Sequence, residues 1–240
     1  WWLHHSLHAL NDSLDGKLVV LRGDPTMHLT ALAAANGAVS VHWNRCYEPW
    51  RIARDTAIKA DLAARGLVVE SHNGSLLWEP WEVTKADGTP YRVFTPYFRR
   101  GCLSARPPRQ PLPVPSQLVL AASDGQGAGI DGLQLLPNTG WDKMLAPHWQ
   151  IGEAGAIARL AAFIDQDVLG YKEGRNFPAL PNVSRLSPHL HWGEVSPNTV
   201  WYAAKDRMDA GAINQEDGDL FLSELGWREF SHALLYYFPN

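Results

Sequence analysis

Phe221-Leu222-Ser223-Glu224-Leu225-Gly226-Trp227-Arg228-Glu229-Phe230 lies near the end of a 240-residue chain. Read as a helix, this stretch sets Phe221, Glu224, Trp227 or Arg228, and Ser231 three or four residues apart, on one face. That face carries an acid, a large flat ring and a guanidinium. A helix that only fills a core would place Leu, Ala and Val there. A glutamate beside a tryptophan suits a flat partner with polar edges, such as a nucleobase: the ring stacks on it and the carboxyl hydrogen-bonds its edge. The same residues also read as a surface glutamate, a half-buried tryptophan and an ordinary Arg–Glu pair, so the rest of the chain has to decide.

Composition narrows the classes. The chain is 45% hydrophobic and 19% charged, an ordinary globular balance. A net charge of −4 gives no general nucleic-acid signature, so any DNA contact must use a local basic surface. Eleven tryptophans are many for this length. Cys46 and Cys102 stand far apart with no CxxC and read as reduced thiols of a cytoplasmic protein. No apolar run is long enough to span a membrane, and nothing demands more than a monomer.

Trp1 to Leu14 reads as an amphipathic helix. His4 and His8 stand at i and i+4, a possible ligand pair. No Asp, Glu or Cys in the sequence clearly completes it, so no metal site is expected and His4, His5 and His8 read as surface or interface histidines. Lys17 to Pro25 reads as a short buried strand ending in a turn, and Pro25 to Ala35 as a helix stopped by Asn36-Gly37. Val39 to Trp43 is a second strand, Pro49 to Arg65 a second helix and Leu67 to Glu70 a third strand. This alternation predicts a parallel sheet with helical crossovers. No G-x-G-x-x-G follows any strand, so a dinucleotide of the usual kind is not indicated. Asn44, Arg45 and Cys46, just past the second strand, face the side on which such sheets bind ligands.

From Ser71 to Arg100 turn chemistry dominates, and Phe94 to Arg100 begins a helix. Five prolines between Ala105 and Ser116, then a polar, glycine-rich Ser123 to Gly132, mark residues 101–150 as a connection between two domains. Arg99, Arg100, Arg106 and Arg109 are either solvated linker charges or phosphate contacts. From Gly152 onward the pattern is helical. Glu153 to Leu169 forms one helix, and Tyr171 to Pro178 a loop. Ser187-Pro188 and Ser196-Pro197 are both helix starts, a capping hydroxyl followed by proline. Ser184 and Ser187 would thus stand at a helix N-terminus, suited to a phosphate and equally to plain capping.

Three segments together resemble the photolyase/cryptochrome family of flavoproteins: Tyr171 with Arg175-Asn176-Phe177-Pro178, the run from Ser184 to Pro197 that contains Leu190-His191-Trp192-Gly193-Glu194, and Glu224 to Phe230. Trp2 to Leu7, Gly23-Asp24-Pro25 and Arg92 to Pro96 look like that family's antenna-binding domain. The resemblance is to a cyclobutane pyrimidine dimer photolyase and covers essentially the whole chain. It implies an α/β N-terminal domain with a Rossmann-like parallel sheet over residues 1–100. It also implies the first part of an all-α, FAD-binding domain over 151–240, both incomplete.

By this resemblance Tyr171, Val183, Ser184, Arg185, Leu186 and Ser187 would hold the phosphates and ribityl of FAD. Phe221 would pack on the flavin and Arg228 contact it by charge. Glu224 and Trp227 would be the catalytic pair facing a flipped-out dimer, and Arg175 and Ser231 would complete the DNA contact. Reduced flavin excited by blue light would give an electron to the dimer, which opens and returns it. Two positions depart from the pattern. Val183 stands where the family often has threonine, so one hydroxyl is absent. Arg51 stands where folate-binding members tend to carry a carboxylate, leaving a second, antenna chromophore open between folate and deazaflavin types. The resemblance further implies that 240 residues alone hold FAD poorly and are inactive. The alternatives are a cryptochrome-type photoreceptor and, if the chain truly ends at Asn240, a flavin-free scaffold.

Overall fold

The computed structural model describes residues 1–121, 127 and 129–239. Part of the glycine-rich stretch from Ser123 to Gly132 therefore lies outside the described residues, as does Asn240. The fold is helix-rich with one small parallel sheet. Helix α1 spans Trp2–Ser13 and α2 Pro25–Asn36. Strand β1 (Ser40–Asn44), helix α3 (Pro49–Ala64) and strand β2 (Val68–His72) then form one β–α–β unit.

Local chemistry explains these ends. Asp24 Oδ1 accepts the Met27 N–H at 2.9 Å, Pro25 opens α2, and Gly37 closes it in the left-handed region at φ 59°. In the parallel sheet, Ser40 pairs with Val68 and Asn44 with His72. Ile58 and Leu62 of α3 are buried.

The strand expected over Lys17 to Pro25 does not form. A strand is defined by its ladder, and among the described residues only β1 and β2 pair. The Leu18 N–H donates instead to the Asn11 side chain at 3.1 Å. The Rossmann-like sheet is accordingly two strands here.

Helix α4 (Phe94–Pro96) runs into a π-turn at Tyr97–Gly101, and α5 spans Asp142–Leu145. The helical part follows: α6 (Glu153–Ala162), α7 (Tyr171–Gly174), α8 (Ser187–Trp192), α9 (Pro197–Asp209) and α10 (Gln215–Tyr237). Three sequence expectations change here. The helix from Glu153 widens into a π-turn at Phe163–Asp167, where the Val168 N–H reaches back five residues to the Phe163 carbonyl. Tyr171 to Gly174 is helical rather than loop, because the Asp217 carboxylate accepts the Gly170 and Lys172 N–H groups at 2.8 Å each. Burial alone would push this carboxyl up; the donors from Lys172, Asn214 and Gly170 together hold it below its ordinary value. Ser187 is the first residue of α8 and makes no capping bond; the cap position is the buried Leu186. Ser196 does cap α9, accepting the Thr199 N–H at 3.0 Å.

One apolar core joins both parts. Leu77, Trp78, Val83, Tyr97 and Phe98 pack with Val200, Trp201, Phe221, Leu225 and Phe230. Gly226 is why α10 can lie this close: a Cβ there would overlap the Phe98 ring. The proline-rich segment around Pro108 and Arg109 is held down as well. Asn198 donates to the Arg109 carbonyl at 2.8 Å and the Tyr202 hydroxyl to the Pro108 carbonyl at 2.5 Å. No helix among the described residues is long and apolar enough to cross a membrane.

Candidate functional site

A cavity of about 750 Å³ opens between the carboxyl end of β1 and the helical part. On the sheet side Asn44, Arg45, Cys46 and Tyr47 line it, with Arg51 from the first turn of α3. This is the edge at which a β–α–β unit presents its loop, as the alternating pattern predicts. Buried Glu79 braces that wall, accepting the Tyr47 hydroxyl at 2.8 Å and pairing with Arg45. Burial and the Glu79 carboxylate raise the Tyr47 phenol far above its usual value, so it stays a neutral donor.

On the helical side α10 contributes Phe221, Glu224, Leu225, Arg228 and His232, one stripe at helical spacing. Phe221 is buried and fixed by Phe163 at 4.7 Å and Tyr171 at 5.6 Å between ring centroids. Arg228 donates to the Ser75 carbonyl at 2.6 Å and to Glu229 Oε1 at 3.3 Å. Glu229 is fully buried and accepts the Leu77 and Trp78 N–H groups at 2.9 and 3.2 Å. Burial pushes its carboxyl up to about 8, against the opposing pull of Arg228 and the two N–H donors. It ties α10 to the loop after β2. Tyr171, Ser184, Leu186 and Ser187 complete the lining on the helical side.

Glu224 forms an ion pair with Arg175, each side chain about one-third exposed at 34% and 29%. The Arg175 guanidinium also lies 5.4 Å from the Tyr171 ring centroid. Bonding to Glu224 raises the Arg175 pKa, keeping it a cation at any working pH.

The site residues named from the sequence thus divide. Tyr171, Ser184, Leu186, Ser187, Phe221, Glu224 and Arg228 share the cavity. Arg175 touches it through Glu224. Val183, Arg185, Trp227 and Ser231 do not line it. Arg185 turns outward at φ 55°, its guanidinium 4.3 Å from the Trp149 centroid and donating to the His148 carbonyl at 2.9 Å. Trp227 stacks on Phe94 at 3.7 Å and 12° and remains 45% exposed, and Ser231 donates back to its carbonyl at 2.9 Å. His232 escaped the sequence reading. Its Nδ1–H donates to the Arg228 carbonyl at 2.9 Å, and burial lowers its pKa. Its only sequence signal is the spacing from Glu224 and Arg228, legible once that face is known to line a cavity.

Chemically the cavity offers an apolar aromatic wall, five hydroxyl-bearing side chains (Tyr47, Ser75, Tyr171, Ser184 and Ser187), the fixed guanidinium of Arg228 and the reachable carboxylate of Glu224. Such a set suits a large flat ligand that also carries anionic and polar groups.

Known proteins resemble this chain in sequence and in fold. Residues 1–116 match the DNA photolyase family model. The chain is 42% identical over its full length to deoxyribodipyrimidine photo-lyase of Agrobacterium fabrum, covering 50% of that protein. It is 33% identical, again over its full length, to Cryptochrome-1 of Arabidopsis thaliana, covering 36% of that protein. It superposes on the crystal structure of a bacterial class III photolyase from Agrobacterium tumefaciens with a TM-score of 0.93 at 41% identity, using all of this chain and 50% of that one. The chain therefore spans about half the length, or less, of these relatives. By sequence and by fold, it belongs to the DNA photolyase/cryptochrome family.

Proposed function

We propose that this chain carries the flavin-facing and DNA-facing helix of a light-dependent enzyme that splits cyclobutane pyrimidine dimers in DNA. The observation that carries the reading is the α10 stripe, which presents Phe221, Glu224 and Arg228 to one cavity. The names of its relatives support the reaction class.

The residues present fit FAD by their donor set. Phe221 offers the ring an apolar face held rigid by two neighbouring aromatics. The Tyr171, Ser184 and Ser187 hydroxyls offer partners for phosphate and ribityl oxygens, and Arg228 offers a cation already oriented by Ser75. When bound, FAD supplies the light absorption and the electron that no side chain can supply. A second, antenna chromophore belongs to the same reading, and an adjoining cavity of about 250 Å³ with Trp43, Trp81 and Tyr236 on its walls offers aromatic faces for it.

The protein's own part is positional and electrostatic. Arg175 and Glu224 neutralise one another at the cavity mouth. A DNA phosphate competes for Arg175 and frees the Glu224 carboxyl to hydrogen-bond the edge of a flipped-out pyrimidine. Trp227, already backed by Phe94 on one face, gives its other face to a base.

The test is repair of a thymine dimer in an oligonucleotide under blue light by the full-length protein. Repair is expected, with a loss of about 10²-fold in Glu224→Ala, the scale of one preorganised electrostatic contact. The 33% identity to part of a cryptochrome along this chain supports a second reading, a blue-light photoreceptor. That reading predicts flavin photochemistry without repair.

A further inference from the structure

Away from the cavity, folding assembles a group of metal-ligating side chains that the sequence leaves incomplete. His4 and His8 lie one turn apart on α1, their ring centroids 4.6 Å apart. Asp131, from the segment that precedes the helical part, comes up beside both. Its Oδ1 is 3.5 Å from His8 Nε2 and 4.0 Å from His4 Nε2. Ligand atoms of a tetrahedral zinc ion, bound at 2.0–2.2 Å, stand about 3.4 Å from one another. The ligand atoms of the three residues all lie within 4.8 Å of one another, close to that geometry.

His4 supplies the second observation. It is a buried histidine, its side chain only 10% exposed, and its Nδ1 has no hydrogen-bond partner among the described residues. At 4.0 Å, Nε2 is too far from Asp131 for a hydrogen bond. A buried imidazole without polar partners is costly, and coordination through Nε2, the nitrogen that faces Asp131, gives this ring one polar contact and leaves Nδ1 as its protonated nitrogen.

A second group, His42, Glu70 and His72, lies on the exposed face of the sheet. There His42 Nδ1 and His72 Nε2 already hydrogen-bond one another at 3.0 Å. An ion would have to break a satisfied pair, so this group is the weaker candidate and serves as the control.

We propose that His4, His8 and Asp131 bind one divalent transition-metal ion, zinc by the chemistry of two imidazoles and a carboxylate, and that the ion fastens the segment around Asp131 to α1. Water takes the fourth position, since Asp131 is 87% exposed. The role is structural, because the ion links two parts of the chain remote in sequence and lies outside the flavin cavity.

The experiment is calorimetric titration of the full chain with zinc chloride, in a His42→Ala/His72→Ala background that removes the sheet group. One ion per chain is expected. His8→Ala and Asp131→Asn, both at exposed or half-exposed positions where folding is not at stake, each weaken binding by about tenfold or more. Zinc raises the thermal midpoint of the parent and not of Asp131→Asn. Absence of zinc binding in that background, or affinities unchanged in both variants, would overturn the proposal.

Discussion

The two walls of the cavity are held in different ways. The α10 wall is one 23-residue helix whose far side sinks into the main core, with Leu222, Gly226, Glu229, Phe230 and Ala233 all buried. Its cavity residues inherit that rigidity. The opposite wall is a loop after a five-residue strand in a two-stranded sheet. Its position depends on polar braces, chiefly Arg45 and Tyr47 on Glu79. Rigid chemistry sits on the packed wall, and the braced wall completes the enclosure. This is the division expected where a ligand must enter: one face preorganised, the other less costly to open.

The sharpest way to break this contrast is to empty the packed wall. Phe163 is fully buried against Tyr171 and Phe221, so Phe163→Ala should cost about 4 kcal/mol in chemical denaturation. A loss below about 1 kcal/mol would mean the wall is not core-supported.

Glu229 comes next. Burial raises its folded pKa to about 8, above the ordinary carboxylate value it regains on unfolding. The folded state therefore holds the proton more tightly. The stability it contributes is full below the ordinary carboxylate range and is lost as pH rises toward about 8, by on the order of a few kcal/mol. Glu229→Gln keeps an acceptor for Leu77 and Trp78 and cannot ionise. Its unfolding free energy should stay level across that window, where the parent's declines; parallel profiles would exclude the assignment.

A smaller effect separates function from support. The Arg175–Glu224 pair is about one-third exposed, so Glu224→Gln should change stability by less than about 1 kcal/mol while reducing dimer repair. Equal losses in stability and repair would make Glu224 structural.

The smallest effect compares two thiols. Cys102, in the core, is pushed up to about 12 by burial, whereas Cys46 lines the cavity. Iodoacetamide followed by peptide mass spectrometry should modify Cys46 and spare Cys102 in the native chain. Modification of both would show that the core opens.

What the sequence made legible follows from how local each cause is. Helices α2 and α3 were readable because Pro25, Gly37 and Pro49 act on their own neighbours. The Phe221–Glu224–Arg228 stripe was readable because a helix repeats every few residues. The strand at Lys17 failed because a strand needs a ladder partner, which no local pattern supplies. The turn at Tyr171 was missed because its cap, Asp217, comes from a distant part of the chain. The position of Arg185 was illegible for a similar reason: Trp149 and the His148 carbonyl, from another segment, hold its side chain outside the cavity lining. Asp131 joined His4 and His8 only through folding, so the metal group was invisible as a triad.

The most direct measurement is the flavin content of the purified full-length protein in three forms. The parent and Arg185→Ala, whose side chain points away from the cavity, should both carry stoichiometric flavin. Phe221→Ala/Arg228→Ala, which strips the α10 wall of its ring and its cation, should lose it while remaining folded by circular dichroism. Flavin retained by that double variant, or lost from Arg185→Ala alone, would contradict the assignment of the cavity as the flavin site.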